Sequence, residues 1–279
     1  MSPTVAQWQL ATDLRKLRGG RKLSEVARAI KVNVSTVSRW ETPGVEGAIP
    51  GPGSLERLLE YYELDFEAIK RFLHVRKEAR SSGWWQSSGI ADHYGTYIGL
   101  ENEARRIRTY EPVLIPGLMQ TEAYVRALFK GTMPSAAPEV VDAAVEVRLT
   151  RQATWQERGA HLWAIISEAA IRTTVGGSKV MAEQIRQLTQ LAEQRNVTLQ
   201  ILPFEAGAHA ALVTGEFTLL TLDELSVLVT INDNTSLFWD DQDALAQHTN
   251  VFERLLADAW RPAQSLEYLE QAAQALEKE

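Results

Sequence analysis

Apolar residues recur at helical spacing from near the start of the chain. Leu10, Leu14 and Leu17 form one stripe with Arg15, Lys16 and Arg18 on the other faces, and Gly19-Gly20 ends that helix. A second short helix is expected over about 24–30, with Val26, Ala27 and Ile30 turned inward and Ala27 small enough for close helix contact. After a break at Lys31-Val32, Asn33 stands where an N-cap is wanted for a third helix over 34–41. In that helix Val37 and Trp40 face the core, while Val34, Ser35, Ser38 and Arg39 stay free. Residues 42–53 hold Pro43, Pro50, Pro52 and four glycines and read as irregular backbone. Ser54 is then expected to cap a helix with Leu55, Leu58, Leu59 and Tyr62 inward, and Phe66, Ile69, Phe72 and Leu73 continue the pattern past Leu64-Asp65. These elements make an all-α head of about five helices over 1–76, followed by a polar linker at 77–83.

From Trp84-Trp85 onward helices mix with strands. Helices are expected over 97–110 (ended by Pro112), 120–130, 137–157, 179–195 and 243–259, with a tail helix beginning near Ser265. Strands are expected over 162–166, 197–202, 216–222 and 225–232, two of them bounded by Pro203 and Gly215. Residues 84–279 therefore read as an α+β domain around a sheet of four or five strands.

Composition narrows the chemistry. Hydrophobic residues make up 45% and charged residues 23%, as in an ordinary globular chain. The longest apolar runs fall far short of the roughly 18 residues of a membrane span, and the first ten residues lack a secretory pattern. A cytoplasmic protein is expected. With no cysteine, a disulfide framework, a thiol nucleophile and thiolate metal sites are excluded. His74, His93, His161, His209 and His248 fall at no ligand spacing, so no metal or other cofactor is expected.

The net charge of −7 is unevenly spread. Residues 1–45 hold eight basic and three acidic side chains, a net of +5, which leaves −12 on the remaining 234 residues. A small basic head on an acidic body suits phosphate, the plain alternative being a solvated basic helix surface. Spacing adds to the charge: two short helices joined by a tight turn form a helix-turn-helix, in which the second helix offers its first turns to base edges in the major groove.

The run Val32-Asn-Val-Ser-Thr-Val-Ser-Arg-Trp-Glu41, preceded by Glu25-Val-Ala27, resembles the helix-turn-helix of the lambda Cro and phage 434 repressor type, the xenobiotic-response-element family. The resemblance implies that Val34, Ser35 and Arg39 read bases, that Ser38 flanks them, and that Arg18 pairs with Glu41 between helices one and three. Lys22, Lys31 and Asn33 complete the expected DNA-binding set. A fork from Arg39 to guanine is the commonest base-specific contact, while Val34 offers only an apolar one, so DNA shape is expected to contribute. One departure stands at Lys22, where the family carries a capping Thr or Ser; Ser24 is the alternative cap.

A second resemblance covers nearly the whole chain. Gly83-Trp-Trp85, Tyr97-Ile-Gly-Leu-Glu-Asn-Glu-Ala104, Ile115-Pro-Gly-Leu-Met-Gln-Thr121, Arg148-Leu-Thr-Arg-Gln152, Glu168-Ala-Ala-Ile-Arg172, Val175-Gly-Gly177, Leu202-Pro-Phe204 and Gly207-Ala-His209 stand in order. They resemble actinobacterial regulators that fuse a helix-turn-helix to a C-terminal domain of uncharacterised function and are sometimes described as antitoxin-like. The resemblance implies a transcription factor, frequently encoded beside a small acidic or DNA-mimic-like partner protein.

Within the C-terminal domain three places are candidates for a partner or ligand. Gln120 and Thr121 lie ahead of a helix, where N–H groups receive an anion unless Thr121 simply caps it. Arg148 and Arg151 share a helix with Gln152 and meet either a ligand or an internal acid such as Glu168. His209 sits in a loop with Glu205; its plain reading is structural, the other being acid-base chemistry. With no nucleophile, second carboxylate or metal set beside them, no enzyme and no catalytic residue is expected. The whole reads as a sequence-specific regulator that binds double-stranded DNA as a homodimer. The alternatives are an antitoxin-like protein that neutralises a small partner, and an enzyme carrying a DNA-targeting head.

Overall fold

The computed structural model describes residues 2–81, 92–223, 225–232 and 235–278. The chain divides into two compact units, Met1–Glu103 and Ala104–Glu279. Among the described residues no helix is long and apolar enough to cross a membrane.

The first unit is helical: α1 (Pro3–Arg18), α2 (Leu23–Ala29), α3 (Val34–Trp40), α4 (Pro52–Tyr61), α5 (Phe66–Ala79) and α6 (Asp92–Glu103). The leucine stripe placed α1 correctly but began it too late. Pro3 stands in the first turn and the Ser2 hydroxyl accepts from the Val5 N–H at 3.3 Å, which carries the helix back to include buried Ala6 and Trp8. Leu10, Leu14, Val26, Val37, Trp40 and Leu58 join one apolar core. Helices α5 and α6 both pack along α1, and the Ser2 hydroxyl also donates to the Gly99 carbonyl at 3.0 Å. Helix α5 extends through Ala79 and so takes in the first residues of the expected linker. Arg80 and Ser81 follow the helix, the Ser81 hydroxyl donating to the Glu78 carbonyl at 2.7 Å, while Ser82 and Gly83-Trp84-Trp85 lie outside the described residues.

Three expected caps differ. Helix α2 starts at Leu23 with Lys22 at its cap position, which puts Ser24 inside the first turn. Asn33 does occupy the cap position of α3, yet its side chain makes no capping bond. Helix α4 starts at Pro52, whose fixed φ and missing N–H suit a first turn, so Ser54 lies within the helix and its hydroxyl accepts from Arg57 at 3.2 Å.

The second unit contains β1 (Arg106–Glu111), β2 (His161–Ser167), β3 (Val197–Leu202), β4 (Phe217–Thr221), β5 (Ser226–Asn232) and β6 (Thr235–Trp239), in the order β3-β2-β1-β4-β5-β6. Helices α7 (Glu122–Thr132) and α8 (Pro138–Arg158) connect β1 to β2, and α9 (Glu168–Arg172) and α10 (Ser178–Ala192) connect β2 to β3. These are parallel pairs, as helical crossovers require; β1, β4, β5 and β6 pair antiparallel. Helices α11 (Gln242–Asp258) and α12 (Pro262–Leu276) follow.

The sheet has six strands rather than four or five, because β1 and β6 escaped the hydrophobic pattern. The expected helix over 97–110 is corrected: α6 stops at Glu103 and β1 begins at Arg106. Arg106, Arg108 and Tyr110 alternate with Ile107 and Thr109, and hydrogen bonding on both sides, to β2 and β4, outweighs the helical spacing of Leu100, Ala104 and Ile107. One sheet face carries Tyr110, Ile165, Phe217, Leu219 and Leu228 and packs against Phe252 and Leu255 of α11. The other carries buried Ile107, Ala164, Ile166, Leu199 and Ile201, with α10 and α12 packed on β3.

Candidate functional site

The turn between α2 and α3 is built by backbone hydrogen bonds. Lys31 has φ of 57°, the Val32 N–H donates to the Ala27 carbonyl at 3.0 Å, and the Lys31 N–H donates to the Arg28 carbonyl at 3.3 Å. This is a Schellman ending with a lysine at the left-handed position that glycine usually takes. It returns Val32 to the core and sets the start of α3. Val37 and Trp40 are buried, so the opposite face of α3 is turned outward: Asn33, Val34, Ser35 and Arg39 are exposed and Ser38 is half-buried. Lys22 at the start of α2 and Lys31 in the turn are exposed as well.

The α3 face is held from behind. Arg18 Nε lies 3.0 and 2.8 Å from the two carboxylate oxygens of buried Glu41, and its Nη1 donates to the Arg21 carbonyl at 2.9 Å. Arg21 in turn lies over the Tyr62 ring, 5.5 Å from its centroid. Burial, together with the nearby Glu41 carboxylate, pushes the Tyr62 hydroxyl up to about 12. Beyond α3 the Arg39 carbonyl accepts from the Ala48 N–H at 2.8 Å, and the Arg76 Nε donates to the Pro50 carbonyl at 2.6 Å. The long loop is thereby fastened at both ends. Gly47 is required there: a Cβ would sit 1.9 Å from the Thr42 carbonyl oxygen.

In the second unit the structure brings Gln120, Thr121, Arg148 and Arg151 into one cluster and leaves His209 with other partners. Thr121 caps α7, accepting from the Tyr124 N–H at 3.1 Å, while its own N–H donates to Gln184 Oε1 at 2.7 Å. That turn therefore spends its donors internally. Gln120 is buried; its amide donates to the Ile115 carbonyl at 2.7 Å and accepts from Arg148 Nη1 at 2.5 Å. Gln152 donates to the carbonyls of Gly117 and Gln120 at 2.9 and 2.8 Å. A Cβ on Gly117 would lie 3.5 Å from a guanidinium nitrogen of both Arg148 and Arg151. Half-buried Glu111 faces this cluster, its carboxyl pushed up to about 8 by burial and by Glu216, with Arg148 acting in the opposite direction.

Glu168 is not the partner of these arginines. It accepts from Arg172 Nε at 2.6 Å and from the Phe204 N–H at 2.8 Å, which fastens α9 to the end of β3. His209 meets the Tyr110 ring edge-on at 5.8 Å, and its Nδ1 is shut away without a hydrogen bond among the described residues. Glu205 accepts from Trp260 Nε1 at 3.1 Å.

Two residues escaped the sequence reading. Gln184 is fully buried and fastens the turn through Thr121 N–H and the Met119 carbonyl, to which its amide donates at 2.8 Å. A glutamine within the apolar stripe of Met181, Ile185 and Leu188 was the available signal. Arg108 was hidden by the helical reading of β1.

Among curated proteins none matches this chain. A solved structure described as "Structure of TrmBL2, an archaeal chromatin protein, shows a novel mode of DNA binding" aligns over 92% of this chain and 94% of its own, at 10% identity and a TM-score of 0.28. A likeness of that size carries no argument about this chain. The family described as "Domain of unknown function (DUF5753)" matches residues 94–271, well over half the chain, from within α6 to within α12, and the protein belongs to that family.

Proposed function

We propose that this protein is a sequence-specific DNA-binding transcriptional regulator of the cytoplasm, whose helical head reads DNA through α3 and whose second unit receives a protein or small-molecule signal. The observation that carries the reading is the outward face of α3. Asn33, Val34, Ser35 and Arg39 are exposed on a helix whose other side is buried, flanked by exposed Lys22 and Lys31. Among the described residues the Arg39 side chain has no hydrogen bond or ion pair within the protein, which leaves its planar fork available to guanine. Lysines at the edges suit phosphates, which position a reader without specifying sequence.

One head of this size makes limited contact with DNA. Two heads about 34 Å apart read a palindrome, and the proposal includes a homodimer on that ground. The test is selection of genomic fragments by the purified protein, repeated with Arg39→Ala and over a salt series. A palindromic motif lost in the variant is the expected result. Weak, salt-labile enrichment with no motif would overturn sequence-specific reading. A monomer at all concentrations in light scattering would remove the dimer.

A further inference from the structure

The sheet face beneath α11 contains an arginine that the packing does not explain. Arg108 projects from β1, the strand that lies between β2 and β4, and is half-buried. Its Nε is closed off from solvent and has no hydrogen-bond acceptor among the described residues, while the guanidinium carbon lies 5.6 Å from the Phe252 ring centroid. Register places Arg106 and Arg108 on the same face as Trp163 of β2 and Leu219 of β4. Arg108 also borders two hollows at the edge of α11. One, of about 370 Å³, is lined by Leu219, Ser226, Leu245 and Thr249; the other, of about 390 Å³, is lined by Arg106, His161, Trp163, Phe252 and Glu253.

We infer that the cleft between α11 and the sheet binds a small monocarboxylate with an aromatic or apolar body, held at its charged end by Arg108. Each hollow lies within the range of about 300 to 1,000 Å³ typical of small-molecule clefts, and in both apolar side chains (Leu219 and Leu245; Trp163 and Phe252) stand beside polar ones (Gln242 and Asn250; His161 and Thr198). A guanidinium partly shielded from water, with its Nε closed off and unpaired, is costly, and an arriving carboxylate offsets that cost. Burial and the like charge of Arg106 disfavour the charged form of Arg108, and Glu253 acts in the other direction. Arg106 and Arg108 against Glu253 leave one positive charge in the cleft, which matches a monoanion better than a phosphate dianion. Trp163 and Phe252 supply flat apolar walls for the body.

That such a ligand is the signal for the DNA-binding head rests on the regulator reading; that the cleft takes a carboxylate does not. The full-length protein is therefore titrated without DNA, with 2-naphthoate as the probe, by calorimetry. Saturable binding at one site per chain is expected. 2-Naphthylmethanol, its neutral counterpart, is expected to bind at least tenfold more weakly, and 2-naphthyl phosphate more weakly than the carboxylate. Arg108→Gln is expected to lose at least tenfold in affinity, while Arg39→Ala leaves binding unchanged. Equal binding of the neutral compound overturns the assignment on the unmodified protein, so the test survives a variant that fails to fold. Absence of saturable binding, or tighter binding of the phosphate, also overturns it. A protein that takes naphthoate yet selects no DNA motif keeps this site and loses the regulator reading; one that selects a motif and ignores naphthoate loses the site alone.

Discussion

Arg18 and Glu41 tie the end of α1 to the end of α3: the arginine Nε reaches both carboxylate oxygens, at 3.0 and 2.8 Å. Glu41 is 6% exposed and the Arg18 side chain 21% exposed, so the pair is sheltered on one side only. Removing one partner of a fully buried pair costs roughly 3 to 5 kcal/mol, and exposure of the arginine reduces that here to about 2 kcal/mol. Glu41→Ala and Arg18→Ala are each expected to lower the melting temperature of the first unit, and the double variant to lose less than the sum. Strict additivity in this cycle would show that the pair contributes packing alone.

DNA recognition should separate into two kinds of contact. Arg39→Ala is expected to cost about 1 to 3 kcal/mol on the selected sequence and little on random DNA. Lys31→Gly removes a charge that the regulator proposal assigns to a phosphate and is expected to weaken both equally, with the salt dependence of binding reduced by about one ion. It also suits the backbone, since Lys31 holds φ of 57° where glycine carries no steric cost. Fold stability should therefore stay within about 1 kcal/mol. Competition assays against a scrambled site read the first difference and a salt titration the second. Loss of specificity in Lys31→Gly as large as in Arg39→Ala would contradict the division.

Much of the head was legible because each of its helices shows a local period and the core stripe of Leu10, Leu14, Val26, Val37 and Leu58 follows from it. The helix starts were less so, since Pro52 and Ser2 began helices ahead of the apolar stripes. In the second unit α8, β3 and β5 lie within a residue or so of expectation. Strand β1 was misread for a physical reason: Arg106 and Arg108 place charge on the same face as Tyr110, so alternation is concealed, and the strand is specified by its partners β2 and β4. The polar cluster was legible as a set of residues and not as a purpose. Sequence shows that Arg148 and Arg151 share a helix, but not that Gln120 and Gly117 receive them.

Gly47 offers a test of the long loop after α3. The Thr42 carbonyl approaches so closely that any side chain must displace backbone, because a Cβ would sit 1.9 Å from that oxygen. Gly47→Ala is expected to destabilise the head by about 2 kcal/mol or more, as steric strain in packed regions does. Gly51→Ala serves as the control, since nothing lies within 4 Å of its added Cβ. Comparable melting temperatures for the two variants would falsify the claim that this close approach matters.

Glu111 should make the second unit less stable as pH rises. Burial and the neighbouring Glu216 carboxylate hold its pKa at about 8 in the fold against an ordinary 4.5, with Arg148 opposing and the Tyr124 hydroxyl also close. Between those two values the folded chain keeps a proton that the unfolded chain releases, so unfolding grows easier with increasing pH. The stabilisation relative to the ionised state is present below about pH 4.5 and lost as pH passes 8. Glu111→Gln has nearly the same shape and no such proton. Its melting temperature is expected to fall less than that of the parent between pH 5 and pH 8 and to exceed it at the upper end. Because every other titrating group is common to both proteins, the difference between the two curves reports Glu111, and parallel curves would place its carboxyl among ordinary ionised surface acids.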